Sequence, residues 1–157
     1  MEPHLKERPL KKAFKAEEVE QLRNKAIKKI KKIFLPDDKI IRIIMIGSAV
    51  KNSFGEYAPP GFRGSLFSDF DFIFFVENDY KIPDWLDKEP TGKAFQDKKL
   101  DLAYRQKNFI ESKYDAEIFF IRRKHMENQE IQKKGENAGI PMTSKSKHKH
   151  IVVYSKG

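Results

Sequence analysis

A single domain mixing helices with short strands is what this sequence predicts, and three observations carry the expectation. The chain has 157 residues, close to the roughly 100–150 of an ordinary domain. One long segment has helical periodicity, with Val19, Leu22, Ala26, Ile27, Ile30, Ile33 and Phe34 recurring at three- and four-residue steps. The later apolar segments are short runs rich in Ile and Phe, suited to buried strands rather than to typical helices. The 13 Phe, 5 Tyr and 1 Trp supply bulky core material that disordered chains lack.

Taken in order, residues 15–34 read as an amphipathic helix. Glu17, Glu18 and Glu20 lie early and Lys28, Lys29, Lys31 and Lys32 late, which suits the helix dipole, and Pro36 ends the pattern. Its lysine face reads first as solvated surface, with phosphate binding the second reading. Ile40 to Ile46 (IIRIIMI) is a β-branched run stopped by Gly47, hence a buried strand at the sheet centre. After a stretch containing Pro59, Pro60, Gly61 and Gly64, Asp69 to Val76 (DFDFIFFV) reads as a second strand. Residues 92–114 are expected as a helix with Phe95, Leu102, Phe109 and Ile110 inward, although Leu100 and Tyr104 blur its stripe. Asp115 to Arg122 is a third strand, Met126 to Lys134 a short helix, and Ile151 to Tyr154 a last strand after the polar tract SKSKHKH. The whole of 1–157 is thus one domain, with a basic N-terminal helix and a basic C-terminal extension over about 124–157.

Composition narrows the chemistry. With no cysteine, disulfide frameworks, Cys-based zinc sites and thiol nucleophiles are excluded. Four scattered histidines argue against a histidine metal site, with His148 and His150 reading as a basic tail. The net charge of +9 favours polyanionic partners. It is unevenly spread: residues 1–39 hold 12 basic and 7 acidic groups, 40–114 hold 11 of each, and 115–157 hold 9 and 5. No apolar run approaches the roughly 18 residues of a membrane span and the N-terminus lacks a signal-peptide core, so a cytoplasmic protein with no membrane partner is expected. No P-loop, dinucleotide glycine fingerprint or nucleophile elbow is present. Trp85 reads as a base-stacking candidate or, more simply, as a core anchor.

The neutral middle carries the chemistry. Successive strand side chains point to opposite faces, so Asp69 and Asp71 share one face, about 7 Å apart at Cα. Two such carboxylates in an apolar strand are costly unless a cation or a proton neutralises them, and a hard divalent ion with oxygen ligands does so. Asp115-Ala-Glu117 repeats the pattern, and Glu117 beside the first pair would complete a cage for two metal ions, the arrangement that stabilises both oxygens of an in-line phosphoryl displacement. Gly47-Ser48 at the exit of a buried strand would let backbone and hydroxyl approach a triphosphate, particularly if residues 49–54 begin a helix.

In this order, from IIMIGSA through FSDFDFIFF to DAEIFFI, about half the chain resembles the nucleotidyltransferase superfamily of the polymerase β type. The resemblance implies an α/β (α+β) domain whose short-stranded mixed sheet is covered by helices mainly on one face. It implies an enzyme that moves a nucleoside monophosphate from a nucleoside triphosphate to a hydroxyl of a protein, small-molecule or RNA acceptor. Gly47 and Ser48 would hold the triphosphate, with Ser68, Lys51 and Arg63 as further nucleotide contacts. Asp69 and Asp71 would bind Mg²⁺, two ions being expected and Mn²⁺ the alternative, and a third acid would help activate the acceptor. Glu117 is preferred as that acid because its neighbours are strand-like; Asp101 in Leu100-Asp101-Leu102 has the same form and is the fallback. Twenty residues separate Ser48 from Asp69, a longer loop than the family usually has, which either gates the nucleotide or is a passive insertion. Small stand-alone members act as antitoxins, so a catalytically inactive module that binds RNA or a protein partner is the alternative, and a homodimer or partner subunit is compatible with the chain's size.

Overall fold

The structure is a computed structural model that describes residues 10–51, 53–58, 66–88 and 103–156. Among these, the order is β1 (Leu10–Ala13), α1 (Ala16–Phe34), β2 (Ile40–Ile46), β3 (Gly55–Ala58), β4 (Phe70–Val76), β5 (Asp87–Lys88), β6 (Ala103–Ile110), β7 (Tyr114–Arg122), α2 (Arg123–Met126), α3 (Gln129–Asn137) and β8 (Ile151–Ser155). β1 and β3 pair as a small antiparallel sheet, and the main sheet runs β5-β6-β7-β4-β2-β8. It is mixed, because β4 and β7 are parallel while the other neighbours are antiparallel. The expected α/β class is therefore observed, with β2 and β4 inside the sheet.

Two apolar layers hold the sheet. The alternation of β4 sends Phe70, Phe72, Phe74 and Val76 to one face, where they pack with Ile43 and Met45 of β2, Ile118 and Phe120 of β7, and the buried stripe Val19, Ala26, Ile30 and Phe34 of α1. The opposite face receives Ile73 and Phe75 together with Ile44 and Ile121, covered by Ile131, Ile140 and Met142. Helices mainly on one face thus describes the long α1, while the shorter α3 covers part of the second face. Burial of each such side chain stabilises by about 1.5–3 kcal/mol.

Three sequence expectations change. Within 92–114, residues 92–102 lie outside the described residues, and Ala103–Ile110 is a strand, not a helix. Arg105, Gln106 and Lys107 are helix-compatible residues, but the antiparallel ladder to β7 overrides that preference. A register shift after Gln106, with Asn108 at φ 51°, and a turn with Glu111 and Ser112 at φ 54° and 55° complete the hairpin. The short helix at Met126–Lys134 is two helices: the first ends at Met126 with Glu127 as its C-cap, and Asn128 caps the second, its side chain accepting from the Ile131 N–H at 3.0 Å. The basic tail is also no tail. Glu136 accepts from the Met142 N–H and the Ser146 hydroxyl, its carbonyl meets His148 Nε2 at 2.7 Å, and the following β8 pairs with β2.

No helix among the described residues is long and apolar enough to cross a membrane. Trp85 is 45% exposed and stacks on Phe109, with ring centroids 5.7 Å apart, so it caps the apolar layer beneath α1 rather than anchoring its centre.

Candidate metal centre

The two acidic segments meet because β4 and β7 are parallel neighbours in a register that sets Asp71 beside Glu117 and Phe70 beside Ala116. Alternation then fixes the face: Asp71 shares the side of Ile73 and Phe75, and Glu117 the side of Phe119 and Ile121. One carboxylate oxygen from each of Asp69, Asp71 and Glu117 lies within 4.8 Å of the others. Like charges directly across a sheet repel. Burial first, and then the Glu117 and Asp69 carboxylates, hold Asp71 well above the usual carboxylate range, with Arg105 pulling the other way.

Gly47 closes one side of this group. It ends β2 beside Asp71, which pairs with Ile46, and takes φ +82°, a conformation that glycine adopts without steric cost. A Cβ at this position would lie 2.3 Å from Asp71 Oδ2. The chain then winds through a turn, not a helix: the Val50 and Lys51 N–H groups donate to the Gly47 carbonyl at 3.0 and 3.2 Å. Arg23 of α1 pins the turn by donating to the Ala49 carbonyl at 3.2 Å. Ser48 is half-buried on this turn and Lys51 is exposed. Ser68 is buried, and its hydroxyl accepts from the Gly55 N–H at 3.0 Å, a bond that ties β3 to the start of β4. Arg63 and Asp101 lie outside the described residues.

Sequence reasoning missed Arg105. It stands opposite Glu117 in the β6–β7 ladder, so Asp71, Glu117 and Arg105 form a row across three neighbouring strands. Its Nη1 donates to Glu117 Oε2 at 2.9 Å, its Nη2 to Asp69 Oδ1 at 2.9 Å and to Asp115 Oδ2 at 3.0 Å, and its Nε to the same Asp115 oxygen at 3.3 Å. The Arg105 side chain is only 13% exposed. Burial opposes its charge, but Asp69, Asp115 and Glu117 outweigh that and raise its pKa. Asp115 has a second task, accepting from the Asn108 N–H at 2.9 Å and so holding the irregular stretch of β6. The hairpin alone does not find Arg105: counting back from the turn at Glu111-Ser112-Lys113 brings Lys107 opposite Glu117, and only the register shift between Gln106 and Ile110 puts Arg105 there instead.

Three carboxylates, those of Asp69, Asp115 and Glu117, thus accept from one guanidinium, and Asp71 converges with two of them. The convergent donors of Asp69, Asp71 and Glu117 are all oxygens, the class that hard ions such as Mg²⁺ and Mn²⁺ prefer. A cation here would relieve the repulsion that disfavours ionised Asp71. The residues therefore fit such an ion. Comparison with protein-family models and with curated proteins finds no match to this chain.

Proposed function

We propose that the protein is a Mg²⁺-dependent nucleotidyltransferase, transferring a nucleoside monophosphate from a nucleoside triphosphate to a hydroxyl of a protein, small-molecule or RNA acceptor and releasing pyrophosphate. One observation carries this reading: the oxygens of Asp69, Asp71 and Glu117 converge within 4.8 Å next to the Gly47-Ser48 turn. A divalent ion bound by those three side chains would stabilise the charge that develops in an in-line displacement at phosphorus. The remaining work falls to the chain. Gly47 leaves Asp71 room in the cluster, Ser48 offers a hydroxyl and the turn its backbone to the triphosphate, and Lys51 at the exposed end of the turn offers a positive charge. The setting is the cytoplasm, where a second copy or a protein partner would complete the acceptor side.

Incubation of the purified chain with labelled ATP, Mg²⁺ and candidate acceptors tests the reading. Asp71→Asn is expected to abolish label transfer while preserving the folded circular-dichroism spectrum; unchanged transfer would eliminate the site. A second reading, a module of this fold that binds RNA or a protein without turnover, is favoured by Arg105, which already supplies the acids with a positive charge. Under that reading RNA affinity falls steeply with salt and nucleotide leaves the melting temperature unmoved.

A further inference from the structure

We infer that Arg105 is a built-in counter-cation of the acid cluster, anchored on Asp115 and exchanged off Asp69 and Glu117 when a divalent ion binds. The inference rests on the metal-binding part of the reading above, and it concerns how that site is regulated.

The guanidinium meets Asp115 through two nitrogens and Glu117 and Asp69 through one each, with Nη2 shared between Asp115 and Asp69. Asp115 Oδ2 receives both Nε and Nη2, so this carboxylate holds the stem side of the group. Glu117 receives Nη1, and Asp69 shares Nη2. Asp69 and Glu117 are two of the three side chains whose oxygens converge, and Asp115 is not. An ion drawn to the convergent oxygens therefore competes with Arg105 for Asp69 and Glu117 but not for Asp115. The main-chain bond from Asn108 keeps Asp115 in place during such an exchange. Retained on Asp115, the guanidinium would stay beside the cluster as a positive group facing an incoming polyphosphate, and bidentate Arg–phosphate geometry suits that position. Without the ion, Arg105 offsets the charge of the partly buried acids at this end of the strands, and removing one partner of such a pair is destabilising. A cation-free fold and a cation-binding site are thereby reconciled in one cluster.

The test uses the full chain with Mn²⁺ alone as the binding probe, followed by electron paramagnetic resonance, and melting curves with and without Mg²⁺. Arg105→Gln is expected to melt about 10 °C below the unsubstituted protein without metal, to recover most of that loss in Mg²⁺, and to bind Mn²⁺ at least tenfold more tightly. Arg105→Gln that binds Mn²⁺ no more tightly, with a melting loss Mg²⁺ does not restore, makes Arg105 a structural ion pair and overturns the inference. If Arg105→Gln does not fold, side-chain ¹⁵N spectra of the unsubstituted protein decide: the Arg105 resonances, assigned with Arg105→Lys, should move with the same Mg²⁺ midpoint as binding, and resonances that stay still during binding overturn the inference. If the unsubstituted protein and every folded variant fail to bind Mn²⁺, the metal-site reading itself falls, an outcome distinct from a metal that binds without regard to Arg105.

Discussion

Near the ends of β4 and β7, one face of the main sheet is dry: Ile73, Phe75 and Ile121 lie under Ile131, Ile140 and Met142. Near the beginnings of the same two strands, on the same face, Asp69, Asp71, Asp115 and Glu117 gather around Arg105. Both ends follow one alternation in one parallel ladder. They differ in what covers them, because the segment from α3 to Met142 reaches only the apolar end. A single strand such as DFDFIFFV can thus contribute to a core at one end and to a charged site at the other. Packing dominates the first, and ion pairing among closely placed acids the second.

Substitutions at each end should separate these roles. On the proposed nucleotidyltransferase reading the largest effect is expected from Asp71→Asn, which should lower kcat about a thousandfold or more, since losing metal-assisted charge stabilisation would cost several kcal/mol of barrier; single-turnover label transfer measures it. At the apolar end, Phe75→Ala should cost about 3–5 kcal/mol of stability in urea denaturation, without moving KM for nucleotide in the fraction that stays folded. Gly47→Ala should cost about 1–3 kcal/mol, through its positive φ and the approach of Asp71. Combining it with Asp71→Ala should recover at least about 0.5 kcal/mol of that in a double-mutant cycle, and strict additivity would separate the glycine from the carboxylate.

A smaller effect appears in pH profiles of metal-free stability, where two carboxylates act with opposite sign. Glu77 is held below its usual range by hydrogen bonds from Arg123, so its contribution is complete above about pH 4.3 and is lost as pH falls through its lowered pKa. Asp71 lies well above its usual range, so stability falls as pH rises from about 3.9 through its raised pKa. Glu77→Gln should flatten the acid limb and Asp71→Asn the descending one, as read by melting temperature against pH. The smallest change belongs to the exposed Lys28, Lys31 and Lys32 of α1: their replacement by Gln should shift stability by about 0.5 kcal/mol or less each and leave Mn²⁺ affinity unaltered. A large loss of affinity would move part of the site onto that helix.

Local patterns were sufficient for α1, β2, β4 and β7, because each carries its own period and its own stop: Pro36 after the helix, Gly47 after IIRIIMI, and the alternation that brings Asp69 and Asp71 to one side. The three convergent acids were legible for the same reason. β6 was not, since Arg105, Gln106, Lys107 and Asn108 carry no alternating apolar signal, and the strand forms through the pairing of Ala103 to Gln106 and of Ile110 with β7. Arg105 was hidden along with its strand, and Ser68 shows the reverse case, a hydroxyl adjacent to the motif that the fold uses to tie down Gly55.

The amino-acid sequence by itself determined which side chains could share a face, because strand alternation and helix period are properties of the local backbone. Only the tertiary structure decided which faces meet, where α3 stops covering the sheet, and that a guanidinium stands among the acids. Those outcomes depend on registers between segments distant in the chain, set by the total burial and hydrogen bonding of the assembled sheet rather than by any one segment's composition.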